Sequence, residues 1–233
     1  MISVQTVDMR LGSDIKEVYS ELGTAVSIIS RSPVIRGERI IYKLNSQATK
    51  PFIREHHLDS TAPFDTLITT DDIIRFDETG DCYLVMNKTP DMFEDSVVEY
   101  SMVLYKCNLP LSAHILRPIE YRDPVSYEMI SGWEVVVDSP LYGLISDRVF
   151  GSMIDQEETG AGQFPIWRID LFLPKRYDVK PLDRIVLSAT EYYKIETMEK
   201  YNYPGVSVML LTEDTRPLAR IVGDEVYNDY EYD

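Results

Sequence analysis

Adjacent carboxylates are the residues of this sequence best suited by type to acid–base chemistry: Asp71-Asp72, Asp77-Glu78, Glu94-Asp95 and Glu157-Glu158. A glycosidase needs two such groups opposed across a cleft, one of them with a raised pKa. Neighbours on an extended chain point to opposite faces, so adjacency alone does not build that geometry. With 39 Asp and Glu in 233 residues some pairs arise by chance, and Asp71-Asp72 and Asp77-Glu78 read as residues flanking strands and turns. The histidines carry no more. His56-His57 has only Asp59 near it as a further ligand, its two rings diverge, and His114 stands apart. Cys82 and Cys107 sit in runs that read as neighbouring strands, where two small buried thiols are expected rather than a disulfide. No nucleophile elbow, Gly-Lys-Ser/Thr phosphate loop, His-Glu-x-x-His or Gly-x-Gly-x-x-Gly occurs. The chain therefore reads as a non-enzyme, with no catalytic residue, no cofactor and no metal.

Around these residues the apolar pattern is mostly that of strands. One amphipathic helix is expected over residues 14–30. Asp14 and Glu17 suit a capping box, Ile15, Val18, Leu22, Val26 and Ile29 share a face, and Ser32-Pro33 ends it. Runs rich in Val, Ile and Tyr follow at 34–44, 66–76, 82–86, 97–107, 133–137, 167–173, 185–187, 192–195 and 206–211, bounded by Gly, Pro, Asp or Asn. They predict a mainly β (α+β) fold, a β-barrel or sandwich with an N-terminal helix. Residues 139–165 hold Gly143, Gly151, Gly160 and Gly162 and are expected to form an inserted excursion: a short helix around 144–154, then a polar loop at 156–163. The expected division is 1–33 (strand and helix), 34–138 (first β unit), 139–165 (excursion), 166–222 (second β unit packed with the first) and 223–233 (acidic tail).

Charge narrows the function classes. The formal net charge is −16, which argues against holding nucleic acid by phosphate neutralisation and against an anionic membrane surface. No apolar run approaches the roughly 18 residues of a membrane span, and MISVQTVDMR has no secretory pattern, so a soluble protein of a reducing compartment is expected. The acidity is concentrated: residues 55–100 hold 12 acids against Arg75 and Lys88, and 223–233 hold five acids and no base.

Two segments resemble each other. Asp72-Ile73-Ile74-Arg75-Phe76, a Glu78-Thr79-Gly80 turn and Cys82-Tyr83-Leu84-Val85-Met86 match Asp183-Arg184-Ile185-Val186-Leu187, a polar turn and Tyr192-Tyr193-Lys194-Ile195. Asp72 and Asp183 are 111 residues apart, Tyr83 and Tyr193 110. Each segment reads as a hairpin with an Asp before the first strand and a Tyr in the second, which predicts a duplicated hairpin unit or two unrelated hairpins of one all-β protein.

The phrase Asp-x-Ile … Gly-Asp-x-Tyr-x-Val, carried here by Asp72, Ile74, Gly80, Asp81, Tyr83 and Val85 and echoed from Asp183 to Ile195, resembles small β-barrel proteins of tailed-bacteriophage necks, the head-closure (stopper) and head–tail connector proteins. The resemblance covers residues 62–118 and 180–217, under half of the chain; the N-terminal helix and residues 139–165 depart from it. It implies a structural virion protein, assembled in the host cytoplasm as a homo-oligomeric ring. Portal or adaptor and tail proteins would be its partners, and DNA would pass nearby without specific binding, with no membrane involved. An acidic wall suits a channel that must not retain phosphates. A tail or baseplate component and a carbohydrate-binding module, the latter from 16 tyrosines and two tryptophans, are the alternatives. The contact residues expected are Lys50 and Arg54 in a 48–62 loop, Gln156, Glu157 and Glu158 in the 156–163 loop, and Tyr227, Tyr230 and Tyr232 in the tail.

Overall fold

The computed structural model describes residues 5–44, 57–122, 127, 129–147, 156–159, 162–165, 169–199, 201 and 203–217. Its one described helix, α1, is Gln5–Leu22 rather than 14–30. Gly23 explains the shift. Its N–H donates to the Tyr19 carbonyl at 2.9 Å, and a Cβ there would lie 2.4 Å from that oxygen. The helix stops at this close approach, and the β-branched run beyond it becomes β1 (Thr24–Ile28). Val26 and Ile29, read above as the end of the helix face, belong to the β1 region, with Val26 pointing into the core.

β1 is followed by β2 (Ile35–Leu44), β3 (His57–Pro63), β4 (Ile73–Phe76), β5 (Cys82–Phe93) and β6 (Ser96–Lys106). They close into an antiparallel barrel in the order β1-β2-β3-β6-β5-β4. Closure removes the free edges an open sheet would carry. β3 occupies the end of the expected 48–62 loop. Its inward residues are Leu58, Ser60 and Ala62, too small and mixed a set to show as an apolar alternation. Val26, Ile28, Ile40, Leu58, Ile74, Val85 and Leu104 fill the interior, none more than 3 % exposed. Burial of each such side chain is worth about 2 kcal/mol.

The chain continues through β7 (His114–Arg122), β8 (Met129–Val137), β9 (Leu144–Asp147), β10 (Gln156–Thr159), β11 (Gly162–Pro165), β12 (Ile169–Pro174), β13 (Arg184–Val186), β14 (Tyr192–Glu199) and β15 (Val206–Glu213). Seven of these form a second sheet, β8-β7-β13-β14-β15-β12-β9, while among the described residues β10 and β11 pair with each other alone. The expected helix at 144–154 is not formed at its start: residues 144–147 are β9, drawn into strand by pairing with β12. The expected polar loop falls on the β10–β11 hairpin, in which Thr159 pairs with Gly162. β7 and β8, expected in the first β unit, pair into the second sheet.

The second sheet repeats the first. In strand order, β8-β7-β13-β14-β15-β12 follows β2-β1-β4-β5-β6-β3, and outside the β1–β2 and β7–β8 hairpins the registers agree residue by residue. Ile73 pairs with Leu84 as Arg184 pairs with Lys194, and Val85 pairs with Leu104 as Ile195 pairs with Leu211. A register shift follows Val85 in β5 and Ile195 in β14. The cores correspond as well: Ile28 with Ile115, Ala62 with Leu173, Ile68 with Val179, Ile74 with Ile185, Met102 with Met209. One departure opens the second copy. β2 pairs with β1 through its first half and with β3 through its second, whereas the second unit divides this task between β8 and β9. Leu141, in the interruption, enters the core at 2 % exposure.

Candidate functional site

The recurring element of both units is a turn that presents a buried aspartate. In the first, Asp72 N–H donates to the Thr69 carbonyl (3.2 Å), and Asp71 between them has φ 80°. In the second, Asp183 N–H donates to the Lys180 carbonyl (3.2 Å) and Leu182 has φ 75°. This is type II geometry, with Pro181 at the position where its fixed φ is favourable. Each aspartate caps its own turn, accepting from Thr69 N–H or Lys180 N–H at 2.8 Å. Each also takes a forked arginine from a distant strand region: Arg31 to Asp72 at 3.0 and 2.5 Å, Arg117 to Asp183 at 3.0 and 2.9 Å. Burial pushes the Asp72 carboxyl up, but Arg31 and the Thr69 and Ser30 donors outweigh it and hold the group below its ordinary value.

A second arginine turns the first of these turns into a joint. Arg176 follows β12 and reaches across to the first unit, donating to the Ser30 carbonyl (2.7 Å), to Asp71 Oδ2 (3.1 Å), to the Asp71 carbonyl and to Asp72 Oδ1 (3.4 Å). Beside it Lys175 Nζ donates to the carbonyls of Tyr203 (2.6 Å) and Pro204 (3.0 Å). The next residue, Gly205, lies against the turn: a Cβ there would be 2.4 Å from Asp71 N and 2.7 Å from Thr70 C. Only glycine allows this approach. Below the polar rim, Ile73, Leu84 and Met86 of the first unit meet Leu144, Phe172 and Val206 of the second. The thiols of Cys82 and Cys107 are free and border this seam; Cys107 N–H donates to the Cys82 carbonyl at 2.8 Å, and burial pushes both thiols up.

The opposite wall of the barrel carries α1. Between the helix and β2, β3, β5 and β6 lies a cavity of about 650 Å³ lined by Ile15, Val18, Ile41, Asp59, Thr61 and Glu99 among others. Tyr19 Oη lies 2.5 Å from the Thr61 hydroxyl and donates to Glu99 Oε2 at 2.7 Å, and burial pushes its phenol up. Lys16 pairs with Asp65 at 2.5 Å.

On the second unit, Arg184 is fully buried. Its Nε donates to Asp214 Oδ2 and its Nη2 to the Arg216 carbonyl, both at 2.6 Å, and its guanidinium lies 4.1 Å from the Trp133 ring centroid. Burial pushes the Asp214 carboxyl up, but Arg216 and Arg184 outweigh that and hold it well below the usual range. Trp133 is thereby enclosed under two arginines and offers no sugar-stacking face.

Lys50, Arg54, Tyr227, Tyr230 and Tyr232 lie outside the described residues, as do His56 and Trp167. Gln156, Glu157 and Glu158 are in β10, away from both sheets' ladders. His57 and Asp59 stand together on β3, 3.5 Å apart. Among the described residues no three His, Cys, Asp or Glu side chains are grouped to hold a metal, and no helix is long and apolar enough to cross a membrane. The arginines that organise the turns, Arg31, Arg117 and Arg176, were missed. The signal was present in the offset itself, since Asp72 and Asp183 are the fixed points of the repeat. What these groups do chemically is lock surfaces together. Comparison with protein-family models, curated proteins and solved structures finds no match to this chain.

Proposed function

We propose that the chain is a non-enzymatic structural subunit of a tailed-bacteriophage virion, a component of the neck ring through which DNA passes. The observation that carries this reading is the unit built twice: two all-β bodies with interiors filled by apolar side chains, joined through their outer walls. Such bodies work through faces, edges and projecting hairpins. The Asp-x-Ile … Tyr-x-Val phrase that resembles neck proteins falls on the paired strands β4–β5 and β13–β14, the same wall of each unit. The hairpin β5–β6 supplies a projecting arm, with Met92 (55 %) and Phe93 (46 %) exposed at its tip beside Asp91, Glu94 and Asp95. An acidic arm of this composition repels a DNA backbone while offering apolar contacts to a protein partner.

The test is assembly with the portal and tail proteins encoded with it. Co-expression followed by light-scattering mass measurement is expected to give a complex of fixed stoichiometry. A chain that remains monomeric with both would remove the reading.

A further inference from the structure

Because the chain is one unit built twice, every surface of one unit has a counterpart on the other. The seam uses a different surface from each. The first unit contributes its β4–β5 wall and the Asp71 turn; the second contributes the wall of β9, β12 and β15, with Arg176 at its rim. This is a head-to-tail contact, so one surface of each kind is left over. On the first unit it is the wall of β2, β3 and β6, where registers place Ile41, Thr61 and Glu99 in the positions of Leu144, Phe172 and Val206. Asp65 takes the place of Arg176: both lie two residues beyond a strand-ending proline, and Thr66 and Tyr177 N–H donate to the Pro63 and Pro174 carbonyls alike. On the second unit the left-over surface is the part of the β13–β14 wall that Trp133 and Arg216 do not cover, since Arg184, in the position of Ile73, lies buried against them. Lys194 stands there in the position of Leu84, and Lys180-Pro181-Leu182 in that of Thr69-Thr70-Asp71.

At the rims of these two surfaces the charges are reversed together, with Lys43 among the acids of the first and Asp178 3.6 Å from Lys180 on the second. Within the chain the second unit's Arg176 enters an acidic turn; at the left-over surfaces Asp65 faces outward from one unit and Lys180 stands on the turn of the other. Glu99 and Asp59 on the first, and Lys194 on the second, continue the match. The first of these surfaces is occupied by α1, and α1 holds the groups concerned: Lys16 pairs with Asp65, and Tyr19 bonds Glu99 and Thr61. It fills the wall incompletely, leaving a half-open groove of about 650 Å³ beside it.

We propose that the β2–β3–β6 wall of the first unit is the docking surface for the second unit of another copy of this chain, repeating between molecules the seam seen within one, and that α1 is a displaceable cap over it. The proposal rests on the reading of the chain as an assembly subunit, and gives that assembly its partner and its control. Contacts of this kind are heterologous, so they close into rings or run on as filaments according to the rotation at each step.

Sedimentation velocity of the full-length chain tests it. Lys16→Ala combined with Tyr19→Phe should loosen α1 and strengthen self-association at least tenfold over the wild type. On that background Asp65→Lys and Lys180→Glu should each restore the monomer alone, since each brings like charges together, and an equimolar mixture of the two should assemble again. Folding of every variant is checked by its thermal transition, and a second loosening variant, Tyr19→Ala, stands in if the first does not fold. A loosened chain that stays monomeric overturns the proposal. So does assembly that ignores both charge reversals, although it leaves the assembly reading intact. A wild type that assembles as strongly as the loosened chain overturns the capping role of α1.

Discussion

Asp72 and Asp183 occupy the same place in two turns, each capping the N–H three residues before it and each gripped by a forked arginine from elsewhere in its unit. Only Asp72 is also reached by an arginine of the other unit, Arg176. The same turn is thus an internal fastening in one half and part of the seam in the other, and these roles separate in the effects of substitution.

Replacing either aspartate by alanine leaves an arginine and a turn N–H without their acceptor. A loss of about 2–4 kcal/mol is expected in urea unfolding. Asp72→Ala should in addition loosen the seam, so that limited proteolysis separates the two units sooner than in Asp183→Ala. Equal proteolysis of the two variants would contradict the assignment of Arg176.

Acid should remove part of this stabilisation. The Asp72 and Asp214 carboxyls are held below their ordinary value in the folded chain, so they bind protons less readily there than when unfolded. Their contribution is full above the unfolded value of about 4 and is lost as pH falls through the folded values. The stability gap between wild type and Asp72→Asn, measured by urea unfolding, should therefore narrow from pH 7 to pH 3. A gap that stays constant would show that Asp72 is not ionised in its turn.

Leu182 has φ 75°, a conformation that costs a leucine about 1–2 kcal/mol and a glycine little. Its side chain is 56 % exposed, so little packing is lost with it. Leu182→Gly is expected to raise the stability of the chain by about 0.5–1 kcal/mol, after the larger unfolded-state entropy of glycine is deducted. A loss of stability on thermal unfolding would contradict this account of the turn.

At Gly205 the direction reverses. A methyl group there meets the backbone of Thr70 and Asp71, which cannot swing aside as a side chain can. Gly205→Ala should cost about 1–3 kcal/mol and open the seam. Faster modification of Cys82 and Cys107 by a thiol reagent is the corresponding local readout, since both border that seam. Unchanged reactivity with unchanged stability would place the close approach elsewhere.

The repeat was legible in the sequence as two offsets, 111 and 110, and the single-residue difference has a structural location: the hairpin turn between β4 and β5 is one residue longer than its counterpart between β13 and β14. The β character was legible as well, because strands such as β6 are rich in valine and tyrosine and β15 in valine and leucine. Three features were not. The helical spacing continues through Val26 and Ile29, because an apolar residue every third or fourth position also occurs where a helix ends and an inward-facing strand begins. β3 and β7 were hidden by composition: β3 buries Ser60 and Ala62, and β7 contains Pro118, tolerated because that proline lies beyond the part of β7 that pairs with the three-residue β13. The arginines of the turns were hidden because Arg31 and Arg117 meet their aspartates across 41 and 66 residues of chain. No local spacing reports such a contact.

The central claim is that this chain is a structural part of a virion. Electron cryomicroscopy of particles carrying a tagged copy tests it most directly. The account predicts density for a ring of the duplicated unit at the junction of head and tail, with the β5–β6 arms toward the DNA path. Intact, infectious particles from which the chain is absent would contradict it.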